Sequence, residues 1–425
     1  MQLMRFAELA EKLFSLGMMN HISKGRPKPP VKPHFRLNLW GGFLVSRWWI
    51  GRMLSAVTEE TKENRLRVLL RLKKTDWIPL LAMNGSVMLV WIVVFFSNGI
   101  SSVHEYKDVR DIFYVAKYLY KIDNNENNIP KNQSDLKKIP FGLPLAIKIL
   151  SLPSFGFLLP ICVILVFGSA SLSVLLFERF LSVWKIVEDP VLTSSLLSIF
   201  PMRYLTYHSV PSSDSIYLCT VFLAFILFKF RDIRSLSICL FFSCFFCDQG
   251  IVLCVTFFLH FFRISNYQKA FRILLSSAMG IICTSIVQYI AVGDFFGYLR
   301  HRFLNNDGFS MIPGKLFLES ALSIEHLGPF HLFWFLFISM LIGMVFNVQH
   351  SFLFILYPLI SFLYSTMHVK SDLFRPSISL EVFSVLIGMD SFIQNPKFKK
   401  GMAVFLIFYG FSALIIAKNS ISYHR

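Results

Sequence analysis

Two carboxylates, Asp108 and Asp111, stand three residues apart in the charged, aromatic stretch 103–120. A helix there puts both on one face, where they can act on a single substrate group. A carboxylate held against a hydroxyl takes its proton as that oxygen attacks. Tyr106, Tyr114, Tyr118 and Tyr120 surround the pair and suit stacking on a sugar, although tyrosine is also an ordinary membrane-interface residue. Further along stand Asp214, Asp294, Arg300, Arg302, Asp372 and Arg375. Carboxylate and guanidinium together are what a site needs to activate a hydroxyl and receive a phosphate leaving group. The bland alternative for each is a charge tolerated in a loop outside the membrane.

Other chemistries fit less well. His208, Ser209 and Asp214 crowd into seven residues around Pro211 with no nucleophile elbow, which argues against a serine hydrolase. No glycine-rich phosphate loop and no helical His pair for a metal is present. All seven cysteines fall in apolar runs, and Cys244 and Cys247 lack a second pair, so they read as buried thiols rather than zinc ligands.

The elements that hold these residues are set by composition. Of 425 residues 55% are hydrophobic and only 16% charged, with 47 phenylalanines, which is too apolar for a soluble domain of this size. The expected fold is an all-α polytopic membrane protein of roughly 10 to 12 spans. A net charge of +17 gathers in short stretches between apolar runs, the pattern of a charged membrane face and not of a nucleic-acid surface.

Residues 1–76 form a basic region with a proline-rich linker, KGRPKPPVKP, and an aromatic stretch suited to the membrane surface. Its alternative is a short buried helix of a soluble N-terminal domain. The opening residues have no cleavage site of the signal-peptide kind, and the basic residues before Trp77 predict a cytoplasmic N-terminus.

Residues 77–425 form the multi-spanning domain. The run 77–100 is expected to cross first and deliver 103–153 as a large external loop. Within that loop Asn132 opens a weak glycosylation triplet, and PFGLPLAIKILSLP suits an interfacial helix. Crossings over 155–177, 191–205 and 216–230 then bring Asp111 and Asp214 to one side, with ERFLSVWKIVEDP as a charged cytoplasmic connection. The stretch 236–262 is flanked by basic residues at both ends, so a hairpin with Asp248, Gln249 and Gly250 at its tip is favoured over one kinked span. Later crossings return 293–329 and 368–375 to the external side, for roughly eleven in all.

In this layout the chain resembles the GT-C class of membrane glycosyltransferases. KDVRDIFYVAKYL is similar to their Asp-containing first-loop motif, and SLLSIFPMRYLTYHSVPSSDSIYLCTVFLAFILF resembles their stretch with a Phe-Pro and a later acidic step. GDFFGYLRHRF resembles the Gly-Asp-Pro-Phe-x-Phe-Leu segment of the second mannosyltransferase of GPI-anchor assembly and its bacterial relatives. DLFR at 372–375 looks like their Asp-x-x-Arg-Tyr. Phe295 replaces the family proline, Pro376 follows Arg375 where tyrosine is usual, and CDQG stands where relatives carry Arg-Pro. Residues 1–76 lie outside the likeness.

The resemblance implies transfer of a sugar, mannose by the nearest likeness, from a polyprenyl or dolichyl phosphate to a lipid-linked or glycan acceptor at the lumenal or periplasmic face. Asp111 would be the base with Asp108 second, and Asp214, Asp294, Arg300, Arg302, Asp372 and Arg375 would bind substrate. The donor is a lipid-phosphate sugar, with no further cofactor and no metal implied. The partners are membrane lipids and the lipid-linked sugar. The membrane would be the endoplasmic reticulum in a eukaryote and the inner membrane in a bacterium. The competing readings are a transporter or flippase, and a non-catalytic GT-C-like subunit. A transporter predicts internal repeats and midplane charges, whereas here the halves show no convincing repeat and the charges cluster in loops.

Overall fold

The computed structural model describes residues 73–98, 141–151, 158–200, 202–297, 299–300, 351–367, 379–388 and 390–401, with shorter pieces at 112, 115–116, 337–338, 340–345, 408, 410–412 and 414–415. The chain divides into two compact units, Met1–Lys74 and Thr75–Arg425, and the first lies almost wholly outside the described residues. Every regular element among the described residues is helical. Among the described residues three helices are long and apolar enough to cross a membrane alone, and four shorter apolar helices accompany them.

Helix α1 (Trp77–Asn98) and α3 (Leu158–Trp184) run antiparallel. Asn84 bonds Ser171 at 2.9 Å, Trp91 meets Phe167 edge-on, and the Arg179 guanidinium pairs with Asp76. Glu178 completes that cluster, 2.6 Å from Arg179, and all three side chains are buried. Glu178 and Arg179, expected in a solvated connection, therefore sit inside the last turns of α3, where mutual pairing offsets the cost of burying charge.

The crossing expected over 191–205 is broken into α4 (Pro190–Leu196) and α5 (Met202–Ser209). Pro190 begins α4 at a position where no backbone donor is needed, and the sequence reaches Pro201 before α5, where a continuous helix would lose one. Asp189 caps α4 by accepting from Val191 N and Leu192 N.

Helices α6 (Ser213–Lys229), α7 (Ile233–Phe246), α8 (Gly250–Arg263) and α9 (Tyr267–Val292) alternate in direction. Ser276 donates to the Ser237 carbonyl and Thr284 to that of Phe245 at 3.3 Å, so α9 runs parallel to α7. Helix α8 returns between them, and 236–262 is accordingly two helices that meet at Asp248 and Gln249. Gly250 makes the turn possible: a Cβ there would overlap the Ser243 carbonyl. Each arm has 14 residues, or about 21 Å of helix.

Helix α10 (Leu353–Thr366) packs along α8 and α6, and a π-helical segment (Val382–Ile387) leads to the short α11 (Asp390–Ile393). Between these elements lies an aromatic core of Phe177, Phe180, Phe222, Phe225, Phe354 and Phe383. Their ring centroids lie 4.7 to 6.3 Å apart in stacked, tilted and edge-on pairs, contacts that add to area burial.

The bundle has two ends. One carries Lys229, Arg231, Arg234, Arg263 and Arg272, all exposed, beside the buried Asp76–Arg179 pair. The other carries Asp214, the Asp248 turn and the C-terminus of α9 with Asp294.

Candidate functional site

The end marked by Asp214 gathers polar groups inside an otherwise apolar bundle. Asp214 lies in the first turn of α6 and is buried, a placement the positive end of the helix favours. Six residues earlier, His208 occupies the last turn of α5. Its Nδ1 and the Ser215 hydroxyl share a hydrogen bond of 2.7 Å across the α5–α6 turn. Tyr204, one turn back, lies edge-on to the imidazole and donates to Ser173 of α3 at 3.2 Å. Trp91 of α1 holds the end of α5 by donating to the Ser209 carbonyl at 2.7 Å.

These bonds fix His208 from one side only. Its Nε2 is buried with no hydrogen-bond partner among the described residues. Because Nδ1 faces a hydroxyl that can donate or accept, either tautomer is compatible, and Nε2 can present a proton or a lone pair. Ser209 does not join in, since its hydroxyl donates to Leu205 O at 2.7 Å. His208, Ser209 and Asp214 are therefore no catalytic triad, consistent with the sequence argument against one.

A second polar strand runs deeper. The Tyr217 and Tyr357 hydroxyls meet at 3.1 Å between α6 and α10, and Thr220 donates to Ser243 at 3.1 Å between α6 and α7. The Ser361 hydroxyl is buried on α10 one turn beyond Tyr357. At the hairpin turn the Cys247 thiol faces the Asp248 carboxylate at 3.6 Å, and Gln249 is buried beside it.

The C-terminus of α9 forms a third group. A Cβ on Gly297 would lie 2.9 Å from the Asp294 carboxylate and 3.0 Å from the Gln288 amide nitrogen, so the glycine lets these two close in. Arg300 follows in the next turn, is exposed, and forms no ion pair with a described acid.

Asp214, Asp294 and Arg300 thus share one end of the bundle. Asp108, Asp111, Arg302, Asp372 and Arg375 lie outside the described residues, but the neighbours of Asp111 do not. Ile112 and Ala116 are buried in a cluster with Leu143 and Ile147 of α2 (Gly142–Ser151) and Ile161 of α3. Ile216 of α6 and Phe246 of α7 pack against that cluster. The apolar face of the first-loop segment therefore sits at the Asp214 end. The same packing shows that PFGLPLAIKILSLP does more than lie in the interface, because α2 buries Leu143 and Ile147 against the bundle.

Sequence reasoning passed over His208 as a partner of Ser215, and missed Tyr204, Tyr217 and Tyr357. Tyr204 and His208 had a signal, being four apart on one helical face. Tyr217 and Tyr357 had none, with 140 residues between them. Chemically the arrangement is a hydroxyl-, imidazole- and carboxylate-lined region suited to hydrogen-bonding a polyhydroxylated group. Among the described residues no three His, Cys, Asp or Glu side chains gather as a metal would require. Neither a protein-family model nor a curated protein matches the chain.

Proposed function

We propose that this membrane protein transfers a sugar from a polyprenyl or dolichyl phosphate to a hydroxyl of a lipid-linked or glycan acceptor at the Asp214 end. The reading rests on one packing observation: Ile112, adjacent to Asp111, is buried in the cluster against which Ile216 and Phe246 pack, each two positions from an aspartate of the buried polar region. The sequence likeness to GT-C transferases supplies the reaction. Asp111, with Asp108 as second carboxylate, takes the proton of the acceptor hydroxyl. The freed oxygen attacks the anomeric carbon, the bond from that carbon to the phosphate oxygen breaks, and the lipid phosphate leaves with the electron pair. Arg300, Arg302 or Arg375 receives its charge. His208, Asp214 and the tyrosine hydroxyls hold sugar hydroxyls, and the lipid tail stays among the apolar helices. By sidedness the Asp214 end is lumenal in a eukaryote and periplasmic in a bacterium.

The polar strand from Thr220 to Tyr357 lies within the helices, and that favours a second reading as a carrier that moves a lipid-linked sugar without cleaving it. One assay separates the two. The purified chain in nanodiscs or liposomes receives a lipid-linked glycan acceptor and radiolabelled dolichyl-phosphate mannose or, separately, dolichyl-phosphate glucose. Label should pass to the acceptor from one donor and fail to pass with Asp108→Asn and Asp111→Asn combined. Transfer that survives the double substitution removes the aspartates from the mechanism. Intact donor that changes leaflet makes the protein a carrier.

A further inference from the structure

The end of the bundle opposite Asp214 carries two helix turns of the same build. Between α6 and α7, Arg231 is left-handed at φ 60° and Asp232 N donates to Leu227 O at 3.0 Å. Between α8 and α9, Ser265 is left-handed at φ 56° and Asn266 N donates to Phe261 O at 2.9 Å. Asp232 and Asn266 then cap the following helices through their side chains. Phe228 meets the rings of His260 and Phe261 at 5.0 and 5.7 Å, which sets the two turns side by side.

Around them stand Lys229, Arg231, Arg234, Arg263, Lys269 and Arg272, all exposed except the half-buried Lys269. None forms an ion pair within the described residues. The single acid in the turns, Asp232, accepts from the Ser235 hydroxyl at 2.9 Å. Aromatic rings seat three of the cations: Lys229 lies 4.3 Å from the Trp184 ring centre, Arg263 3.8 Å from that of Phe352, and Lys269 5.8 Å from that of Phe261. Trp184 is itself fixed by donating to Phe225 O at 3.2 Å. Cations held over rings at the ends of apolar helices stand at headgroup depth, where aromatic residues anchor a membrane protein. Six like charges on adjoining turns repel, and a counter-charge that partitions to that depth relieves the repulsion.

We propose that these paired turns bind the phosphate headgroup of an anionic phospholipid. The positive-inside rule assigns this end to the cytoplasmic face, whose leaflet holds phosphatidylserine and phosphatidylinositol. The site does not depend on sugar transfer.

Native mass spectrometry of the full chain in detergent, titrated with phosphatidylserine or phosphatidylcholine, tests it. Phosphatidylserine should be retained in preference, and NaCl should weaken its retention. Replacing Arg231, Arg234, Arg263 and Lys269 by Gln should cost about fivefold in affinity per cation. Two comparison chains keep the outcome readable if that variant is unstable. In the first, the four cations are exchanged Arg→Lys or Lys→Arg, and preference should persist. In the second, Lys397, Lys399 and Lys400, which lie beyond α11, become Gln and preference should also persist. Equal retention of the two lipids by the wild-type chain overturns the proposal, as does loss of preference in the Lys397, Lys399 and Lys400 variant alone. So does displacement of bound lipid by millimolar inorganic phosphate, which would identify a free-phosphate site.

Discussion

The two ends of the bundle differ in how they hold their buried acids. At the basic end, Asp76, Glu178 and Arg179 pair with one another, and Asp390 accepts from Glu188 N at 3.0 Å and from Gln394 at 3.1 Å. Such groups tie α1 to α3, and the start of α4 to α11. At the Asp214 end, the fully buried His208 leaves Nε2 without a hydrogen-bond partner among the described residues, as the half-buried His260 leaves Nδ1 at the basic end. A buried polar atom without a partner costs about 1–3 kcal/mol, so a bound group that hydrogen-bonds His208 Nε2 would recover that cost. The paired charges of the basic end hold helices together, whereas His208 Nε2 keeps hydrogen-bonding capacity that the described residues do not use.

Substitutions at the two ends should therefore part company. The largest effect belongs to Arg179→Ala, which leaves Asp76 and Glu178 buried together and should destabilise the protein by about 3–5 kcal/mol. Thermal unfolding in detergent reads this directly, and an unchanged midpoint would mean that the pair is solvated. Asp214→Asn should do the reverse, cutting sugar transfer by about ten- to a hundredfold, the worth of one charge-assisted hydrogen bond, with little loss of stability. A fall in stability with activity intact would make Asp214 structural.

Gly250→Ala forces a methyl against the Ser243 carbonyl and should cost about 1–3 kcal/mol, seen as a lower unfolding midpoint. His208→Asn is the finest probe. The amide can keep the bond to Ser215 while Nε2 disappears, so stability should stay within about 1 kcal/mol of wild type while transfer falls. Should transfer be untouched, the open nitrogen has no ligand.

Much of the layout was legible because hydrophobic runs and basic flanks carry it. Basic residues on both sides of 236–262 indicated the hairpin. What could not be read depends on distance along the chain. Asp76 and Arg179 lie 103 residues apart, and nothing near Arg179 announces that α3 continues past Phe177 to bury it. The break between α4 and α5 was signalled by Pro190 and Pro201, yet a hydropathy window averages across it. At the site, Asp214 was legible as an acid beside a span. The Tyr217–Tyr357 contact and the open side of His208 emerge only from packing.

The hairpin arms carry one more consequence. At about 21 Å each, α7 and α8 stop short of the roughly 30 Å of hydrocarbon that a bilayer presents. If their basic ends hold at one headgroup layer, the Asp248 turn stops about 9 Å below the opposite one, a depth hostile to an acid in hydrocarbon. Either the bundle shields that acid or the bilayer thins toward it. A bilayer that thins around such short arms carries its phosphates toward the turn at a cost of fractions of a kcal/mol per Å of mismatch.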